Sequence, residues 1–142
     1  MKCTVIIDEN REEEVVVYAH ARTSQVEKIE SLVKESVPLM GYGDDAVVPL
    51  QSEELLCVFV EAGKVYAMTL NHKWQLKGRL YQVEELLPSS FVKINQSCLA
   101  NIRKIQRFQS TIGGTLQVVF ENGYVDYVSR RQLKTVKERM GL

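Results

Sequence analysis

Short β-prone segments separated by turn residues run from residue 55 to residue 128, and they restrict the fold more than any other feature. The predicted strands cover 55–61, 64–70, 72–77, 91–94, 102–108, 116–120 and 124–128. Ala62-Gly63 separates the first two, a spacing that is typical of an antiparallel meander. Asn122-Gly123 predicts a later hairpin with a type I′ turn, which needs positive φ at both central residues. The sequence therefore predicts a mainly β (α+β) fold of small antiparallel sheets.

Two helices are expected among or after these strands. Apolar residues recur at helical spacing over 80–87, and Pro88 ends that pattern. A capping box of Ser129 and Gln132 predicts a second helix from Arg130 to Met140.

The N-terminal part has a different pattern and predicts a small β-β-α unit over residues 1–43. Segments 2–7 and 14–20 are rich in Val, Ile and Thr, and a capping box at Ser24–Glu27 opens a helix that should stop before Pro38. The Gly- and Asp-containing stretch 38–45 is the best linker candidate. We therefore expect two domains, 1–43 and 44–142. Two strands and one helix cannot bury their apolar faces alone, so the first should support dimerisation or regulation.

Charged residues are distributed unevenly between the two parts of the chain. Residues 1–54 contain 5 Lys and Arg against 12 Asp and Glu, and residues 55–142 contain 13 against 6, so a net charge of zero conceals two opposite parts. A basic half favours a polyanionic partner such as a nucleic acid.

Several other classes of protein are disfavoured. No apolar run approaches the roughly 18 residues that a membrane-spanning helix needs, and no secretion signal opens the chain. Three widely spaced cysteines, Cys3, Cys57 and Cys98, fit reduced thiols in the cytoplasm better than a disulfide framework or a metal site. His20 and His72 lack a catalytic partner at a recognisable spacing, and no phosphate-cradling loop precedes a helix. We expect a cytoplasmic protein that is not an enzyme and needs no cofactor.

The strongest candidates for ligand contact lie in Lys93-Ile-Asn-Gln-Ser97. Strand alternation would place Lys93, Asn95 and Ser97 on one face. Lys suits a phosphate, whereas Asn and Gln suit the N6 and N7 edge of adenine. The alternative is an ordinary exposed turn, which has the same composition. Asn101 is expected to bond backbone instead.

Arg130 and Arg131 form the second candidate group. Both lie in the first turn of the predicted helix, where they oppose the positive end of the helix dipole. A phosphate or a guanine edge would remove that conflict. The alternative is that one arginine pairs with Asp126 and the other is solvated. The aromatic residues are not clustered in sequence, which disfavours a stacking platform for single strands.

Residues from about 45 to 141 resemble the LytTR DNA-binding domain. The resemblance rests on Phe91-Val-Lys-Ile-x-x-Ser97, Leu99-x-Asn101-Ile102, Asn122-Gly123 and Val128-Ser-Arg-Arg131. It implies about ten strands, no recognition helix, and loops that enter successive major grooves and bend DNA at repeated promoter sites. The whole chain is similar to stand-alone bacterial members, in which a short segment replaces a receiver domain and a small membrane protein often acts as antagonist.

The resemblance also implies which residues contact DNA. The family's contact positions fall on Lys93, Asn95, Gln96, Ser97, Arg130, Arg131 and the early loop from Lys64 to Tyr66. In the family, His or Ser followed by a basic residue is common at the position of Asn95-Gln96. Because this chain lacks that basic charge, the pair favours a base contact over a phosphate contact.

These observations favour a homodimeric transcriptional regulator of double-stranded DNA. A different class remains open, namely a β-rich interaction module whose basic half docks an acidic partner or the chain's own acidic N-terminal segment. RNA binding is disfavoured because the aromatic signatures of RNA-binding modules are missing.

Overall fold

Two antiparallel sheets form the framework of the structure, a computed structural model in which residues 1–34 and 39–142 are described. The strands in that part of the chain are β1 (Leu39–Gly43), β2 (Ala46–Leu50), β3 (Cys57–Glu61), β4 (Lys64–Met68), β5 (Lys73–Leu76), β6 (Phe91–Asn95), β7 (Cys98–Asn101), β8 (Ile105–Ser110), β9 (Leu116–Phe120) and β10 (Val125–Val128). The helices are α1 (Ser24–Lys34), α2 (Leu80–Leu86) and α3 (Arg130–Met140). No helix among the described residues is long and apolar enough to cross a bilayer.

The larger sheet has the strand order β2-β1-β5-β4-β3-β7-β6, and the smaller has the order β10-β9-β8. Side chains alternate across the larger sheet, so Val58 joins one apolar cluster while Cys57 and Phe59 join another. Helix α2 contributes Val83 to the first cluster. The smaller sheet and α3, with Val136, contribute to the second. The predicted mainly β fold with short helices is confirmed.

Most elements predicted between residues 55 and 140 form close to their expected bounds. One exception is the strand predicted over 102–108. The structure has a 3₁₀ turn at Ile102–Lys104, and the strand begins only at Ile105.

The predicted N-terminal β-β-α unit is wrong in its two strands. Residues 1–20 form no strand, and apolar side chains there are largely exposed, Ile7 by 88% and Tyr18 by 92%. Helix α1 does form, but Thr23 caps it by accepting a bond from the Val26 amide at 3.3 Å, one residue before the predicted cap. The strands fail because β-prone residues need a neighbouring strand and a packing surface, and the described part of the chain offers this segment neither.

The linker predicted over 38–45 is also corrected. Pro38, the expected helix stop, lies outside the described residues, but 39–43 is strand β1 inside the larger sheet, paired with β2 and β5. Asp44 and Asp45 have φ of 50° and 59°, as a two-residue type I′ hairpin turn requires. The folded sheet therefore includes residues that sequence patterning assigned to the N-terminal domain.

Turn types differ from expectation at the later hairpin. Only Gly123, with φ of 88°, has positive φ there, and its amide donates to the Phe120 carbonyl at 2.9 Å. This is a three-residue loop in which a type I turn precedes a left-handed glycine. The type I′ signature occurs instead at Ala62 and Gly63, whose φ values are 50° and 76°.

Candidate nucleic-acid interface

Three turns from separate parts of the chain meet at one end of the larger sheet. They are the β3–β4 turn with Lys64, the β6–β7 turn at 95–97, and the start of α3 at 129–131. The Val60 amide, in the strand that leads into the first turn, donates to the Ser97 carbonyl of the second turn at 2.8 Å. The Ser129 amide of the third turn donates at 2.8 Å to the carbonyl of Ile94, in the strand that leads into the second turn. We call residues 62–64, 95–97 and 129–131 the three-turn surface.

Asn95 is the buried centre of this arrangement, being only 2% exposed. Its Nδ2 donates to Asp126 Oδ1 at 3.0 Å and to the Tyr127 carbonyl at 2.8 Å. Its Oδ1 accepts the Ser97 amide at 2.8 Å. Both amide donors are therefore used within the protein, and the side chain ties the β6–β7 turn to β10.

A β-bulge explains why Asn95 faces the interior. Lys93 pairs with Leu99 and Asn95 pairs with Cys98, so Ile94 is an extra residue in β6. The bulge turns Asn95 toward the smaller sheet, whereas Lys93 faces the opposite side of the larger sheet beside Val60. The expectation that Lys93, Asn95 and Ser97 share one face is therefore wrong.

The other predicted polar residues at this end of the larger sheet are accessible. Lys64, Gln96, Ser97, Arg130 and Arg131 are exposed, and Lys93 is half-buried. Within residues 1–34 and 39–142, none of the four cations forms an ion pair.

The predicted alternative of an arginine paired with Asp126 does not form. Asp126 Oδ1 accepts from Asn95 and from the Tyr127 amide instead. Helix α3 starts at Arg130 as predicted, although the Ser129 side chain makes no capping hydrogen bond. The two guanidinium groups remain available to an external anion.

Tyr66 lies apart from these residues. Its ring stacks on Phe59 with centroids 5.8 Å apart, and Lys73 Nζ lies 4.6 Å from its centroid. Phe59 also stacks on Tyr124 at 5.6 Å, so the aromatic residues do cluster in space. Sequence spacing missed this cluster because its members come from different strands. Phe59 is only 4% exposed, which makes the cluster part of the core and no stacking platform.

Two groups below the surface have raised pKa values. Burial, followed by the charge of Asp126, raises the pKa of the Tyr124 phenol well above its ordinary value. A hydrogen bond with Cys57, together with burial, raises the pKa of the Cys98 thiol. Both groups therefore stay neutral at physiological pH.

The N-terminal helix contacts the domain at another place. Arg103 Nη2 lies 3.4 Å from Glu27 Oε2. Ser97 precedes the N-terminal end of β7, whereas Arg103 follows its C-terminal end. Asn101, at that end, bonds backbone as predicted, donating to the Leu55 carbonyl at 2.8 Å and accepting the Arg103 amide at 3.1 Å. This contact leaves the three-turn surface uncovered.

Other chemistry has little support from the geometry. Among the described residues no three His, Cys, Asp or Glu side chains converge as metal ligands. His72, which has no obvious partner in sequence, pairs with Asp44 at 3.2 Å beside the β1–β2 turn, where both side chains are at least partly exposed. What the three-turn surface offers is hydrogen bonding and positive charge.

Comparison with known proteins gives a consistent picture. Residues 45–141 match the LytTr DNA-binding domain family. The chain is 30% identical to an uncharacterized HTH-type transcriptional regulator of Staphylococcus aureus (strain NCTC 8325 / PS 47), with 100% of this chain and 99% of the relative covered. A similarly described protein of strain MW2 is 29% identical over the same shares.

A solved structure shares the fold. It is the LytTr DNA-binding domain of a protein described as a methyl-accepting/DNA response regulator from Bacillus cereus, with a TM-score of 0.69, 19% identity, and coverage of 75% of this chain and 99% of that one. The relatives' names include the term HTH, but in the described part of this chain strands separate every pair of successive helices.

Proposed function

Because this chain belongs to the LytTR family of DNA-binding domains, we propose that it is a cytoplasmic transcriptional regulator that recognises specific double-stranded DNA sequences through the three-turn surface. The observation that supports this most is the set of hydrogen bonds that fixes the three turns against one another. It presents three unpaired cations and one exposed amide on a single surface, with Lys93 beside it on the other side of the larger sheet. Such a preorganised surface can combine phosphate contacts with base contacts.

The exposed residues divide by their chemistry. Gln96 can bond the N6 and N7 edge of adenine, and Arg131 can bond the O6 and N7 edge of guanine, both in the major groove. Lys64, Lys93 and Arg130 fit phosphates, and Ser97 fits either partner. Asn95 acts through Gln96 and Ser97 as a positioning residue, because its own donors are occupied.

Residues 1–20 are proposed to join two copies of the chain. Val5, Ile6, Ile7 and Tyr18 expose between 77% and 92% of their surface. A second copy would give these β-prone segments the partner strands that they lack. A dimer would also place two three-turn surfaces on repeated DNA sites, which strengthens binding without new contacts.

The alternative of an interaction module that masks its own basic half has less support. The ion pair of Glu27 with Arg103 ties the N-terminal helix to the end of β7 away from the three-turn surface. Self-masking would require contacts with the cations of that surface.

Genomic footprinting with the full chain would test the proposed function, because the protected sequences report base preference and site spacing together. Binding to a recovered duplex should then weaken as salt rises, with a log K versus log salt slope near −5 if about six phosphates are neutralised. Protection without any common sequence, or affinity that does not change with salt, would refute sequence-specific DNA binding.

A further inference from the structure

A groove of about 590 Å³ opens beside the three-turn surface, between the β6–β7 turn and helix α2. Apolar side chains of Val60, Val65 and Leu80 line part of it. Arg79, Lys93 and Gln96 line another part. Thus one of the proposed base-contacting residues and one of the proposed phosphate-contacting residues share a concave surface with Arg79, which was not among the predicted contact residues.

Arg79 is held at this groove by its backbone, and its side chain remains free to bind. The Arg79 amide donates to Gln82 Oε1 at 2.9 Å, which fixes the residue at the start of α2. Among the described residues, no ion pair involves Arg79 or Lys93. The Arg79 side chain is exposed, and its guanidinium group caps no helix amide. Two cations without ion pairs therefore line one groove.

The groove also suits a sugar-phosphate chain in shape and polarity. Tyr81, 60% exposed, adds an aromatic surface at the groove. Glu84 is the carboxylate among the lining residues, so the cations outnumber it by two to one. An Arg and a Lys around a partly apolar floor can hold a phosphate while the attached sugar packs on carbon.

We propose that this groove binds one backbone phosphate of the DNA, held between Arg79 and Lys93, and that this contact sets the position of the strand whose base Gln96 contacts. The inference rests on the proposed function. It adds Arg79 to the DNA-contacting residues and makes the groove a site for positioning, with no base preference of its own.

Replacing Arg79 tests the site directly. The variant Arg79→Gln keeps the backbone amide that bonds Gln82 and removes only the charge and the guanidinium fork. Affinity for a footprinted duplex and for a shuffled duplex should fall by the same factor, about tenfold, because a charge-assisted bond is lost. The log K versus log salt slope should become shallower by about 0.9, as expected for one phosphate contact. An unchanged melting temperature would show that the fold is intact.

A pair of neighbouring glutamates gives a test in the opposite direction. Glu84 lines the groove, whereas Glu85, the next residue of the same helix, does not. Glu84→Gln removes a charge that repels the phosphate, so DNA affinity should rise about twofold to threefold at low salt. Glu85→Gln makes the same change in net charge and should have a much smaller effect. Equal effects of the two variants would mean that only overall charge matters and would overturn the groove site.

Failure of this inference can be told apart from failure of the proposed function. If the wild-type chain prefers its footprinted duplex but Arg79→Gln binds as tightly as wild type, the groove site is overturned and the proposed function stands. The same holds if Arg79→Gln changes base preference, since Arg79 would then contact a base. If the wild-type chain prefers no sequence, both proposals fall.

Discussion

At the scale of single residues, Asn95 has the largest structural consequence because it joins the β6–β7 turn of the larger sheet to β10 of the smaller sheet. Replacing it with Asp keeps its shape but removes both donors and places a carboxylate about 3.0 Å from Asp126. We predict that Asn95→Asp lowers the free energy of unfolding by about 2 to 4 kcal/mol, as expected for unpaired buried charge. Urea unfolding would measure the loss.

The paired exchange Asn95→Asp with Asp126→Asn provides the control. It restores one donor–acceptor pair with reversed polarity, so it should recover part of the lost free energy. Recovery of none would show that the link between Asn95 and Asp126 does not stabilise the fold.

Tyr124 should make stability depend on alkaline pH. Its pKa is higher in the folded protein than the ordinary value of about 10, so its contribution is complete below about pH 10 and is lost as pH rises through the folded value. We predict that raising pH from about 9 to about 11 destabilises the wild-type protein more than Tyr124→Phe, which keeps the ring stacked on Phe59. Urea unfolding at both pH values measures this, and equal losses would contradict it.

The chemistry of the candidate residues could be predicted from sequence better than their orientation. Exposure of Gln96 and Arg131 follows from residue type and turn position. Burial of Asn95 could not be predicted, because it depends on a bulge at Ile94 and on partners in β10 more than 30 residues away. Arg79 was missed for a similar reason, since the groove forms only when α2 packs beside the β6–β7 turn.

At the scale of elements, the inclusion of β1 in the larger sheet can be tested by adding one methyl group. A Cβ built on Gly41 would lie 2.8 Å from Trp74 Cβ and 2.9 Å from Leu50 Cδ1, contacts that force the sheet apart. We predict that Gly41→Ala lowers the free energy of unfolding by about 1 to 3 kcal/mol.

Gly113→Ala is the matched control for this prediction. A Cβ on Gly113 would meet nothing within 4 Å, and its backbone is not in the left-handed region. Its effect on denaturant unfolding should be close to zero. A Gly41→Ala variant as stable as this control would show that residues 39–43 do not pack in the sheet.

Elements with local signals were predicted well, and those that depend on distant partners were not. The β3–β4 hairpin follows from Ala62-Gly63 between two apolar runs, and α2 follows from its spacing and Pro88. In the sequence, Gly41 and Gly43 make residues 38–45 resemble a linker, because glycine is usually a sign of a flexible segment. In the structure, Trp74 packs against both glycines and leaves little room for a side chain. Segments 2–7 and 14–20 have β propensity, but propensity alone forms no sheet.

At the scale of the whole molecule, the exposed apolar N-terminal segment should govern assembly. We predict that the wild-type chain is dimeric at tens of micromolar and that Ile7→Glu makes it monomeric, because a carboxylate at the interface would lose its hydration. Sedimentation equilibrium would measure the mass. Ile112→Glu, which changes an exposed isoleucine between β8 and β9, should leave the dimer intact. A wild-type protein that is monomeric at that concentration would refute the dimer.

The opposite charges of the two halves were visible in the sequence, and the basic half contains the three-turn surface. The sequence could not predict that the N-terminal helix contacts Arg103 away from that surface. The position of the N-terminal helix, more than its net charge, therefore decides whether it can cover the three-turn surface.

The most direct test of DNA recognition is equilibrium competition between a footprinted duplex and single-base variants of it, for the wild-type chain, Arg131→Ala and Lys137→Ala. Lys137 lies in the last turn of the same helix, about 9 Å along its axis from Arg131. Arg131→Ala should cost about 1 to 3 kcal/mol and lose preference at one base pair, while Lys137→Ala should keep the wild-type preference. Equal, small effects of the two substitutions on every duplex would contradict recognition through the three-turn surface.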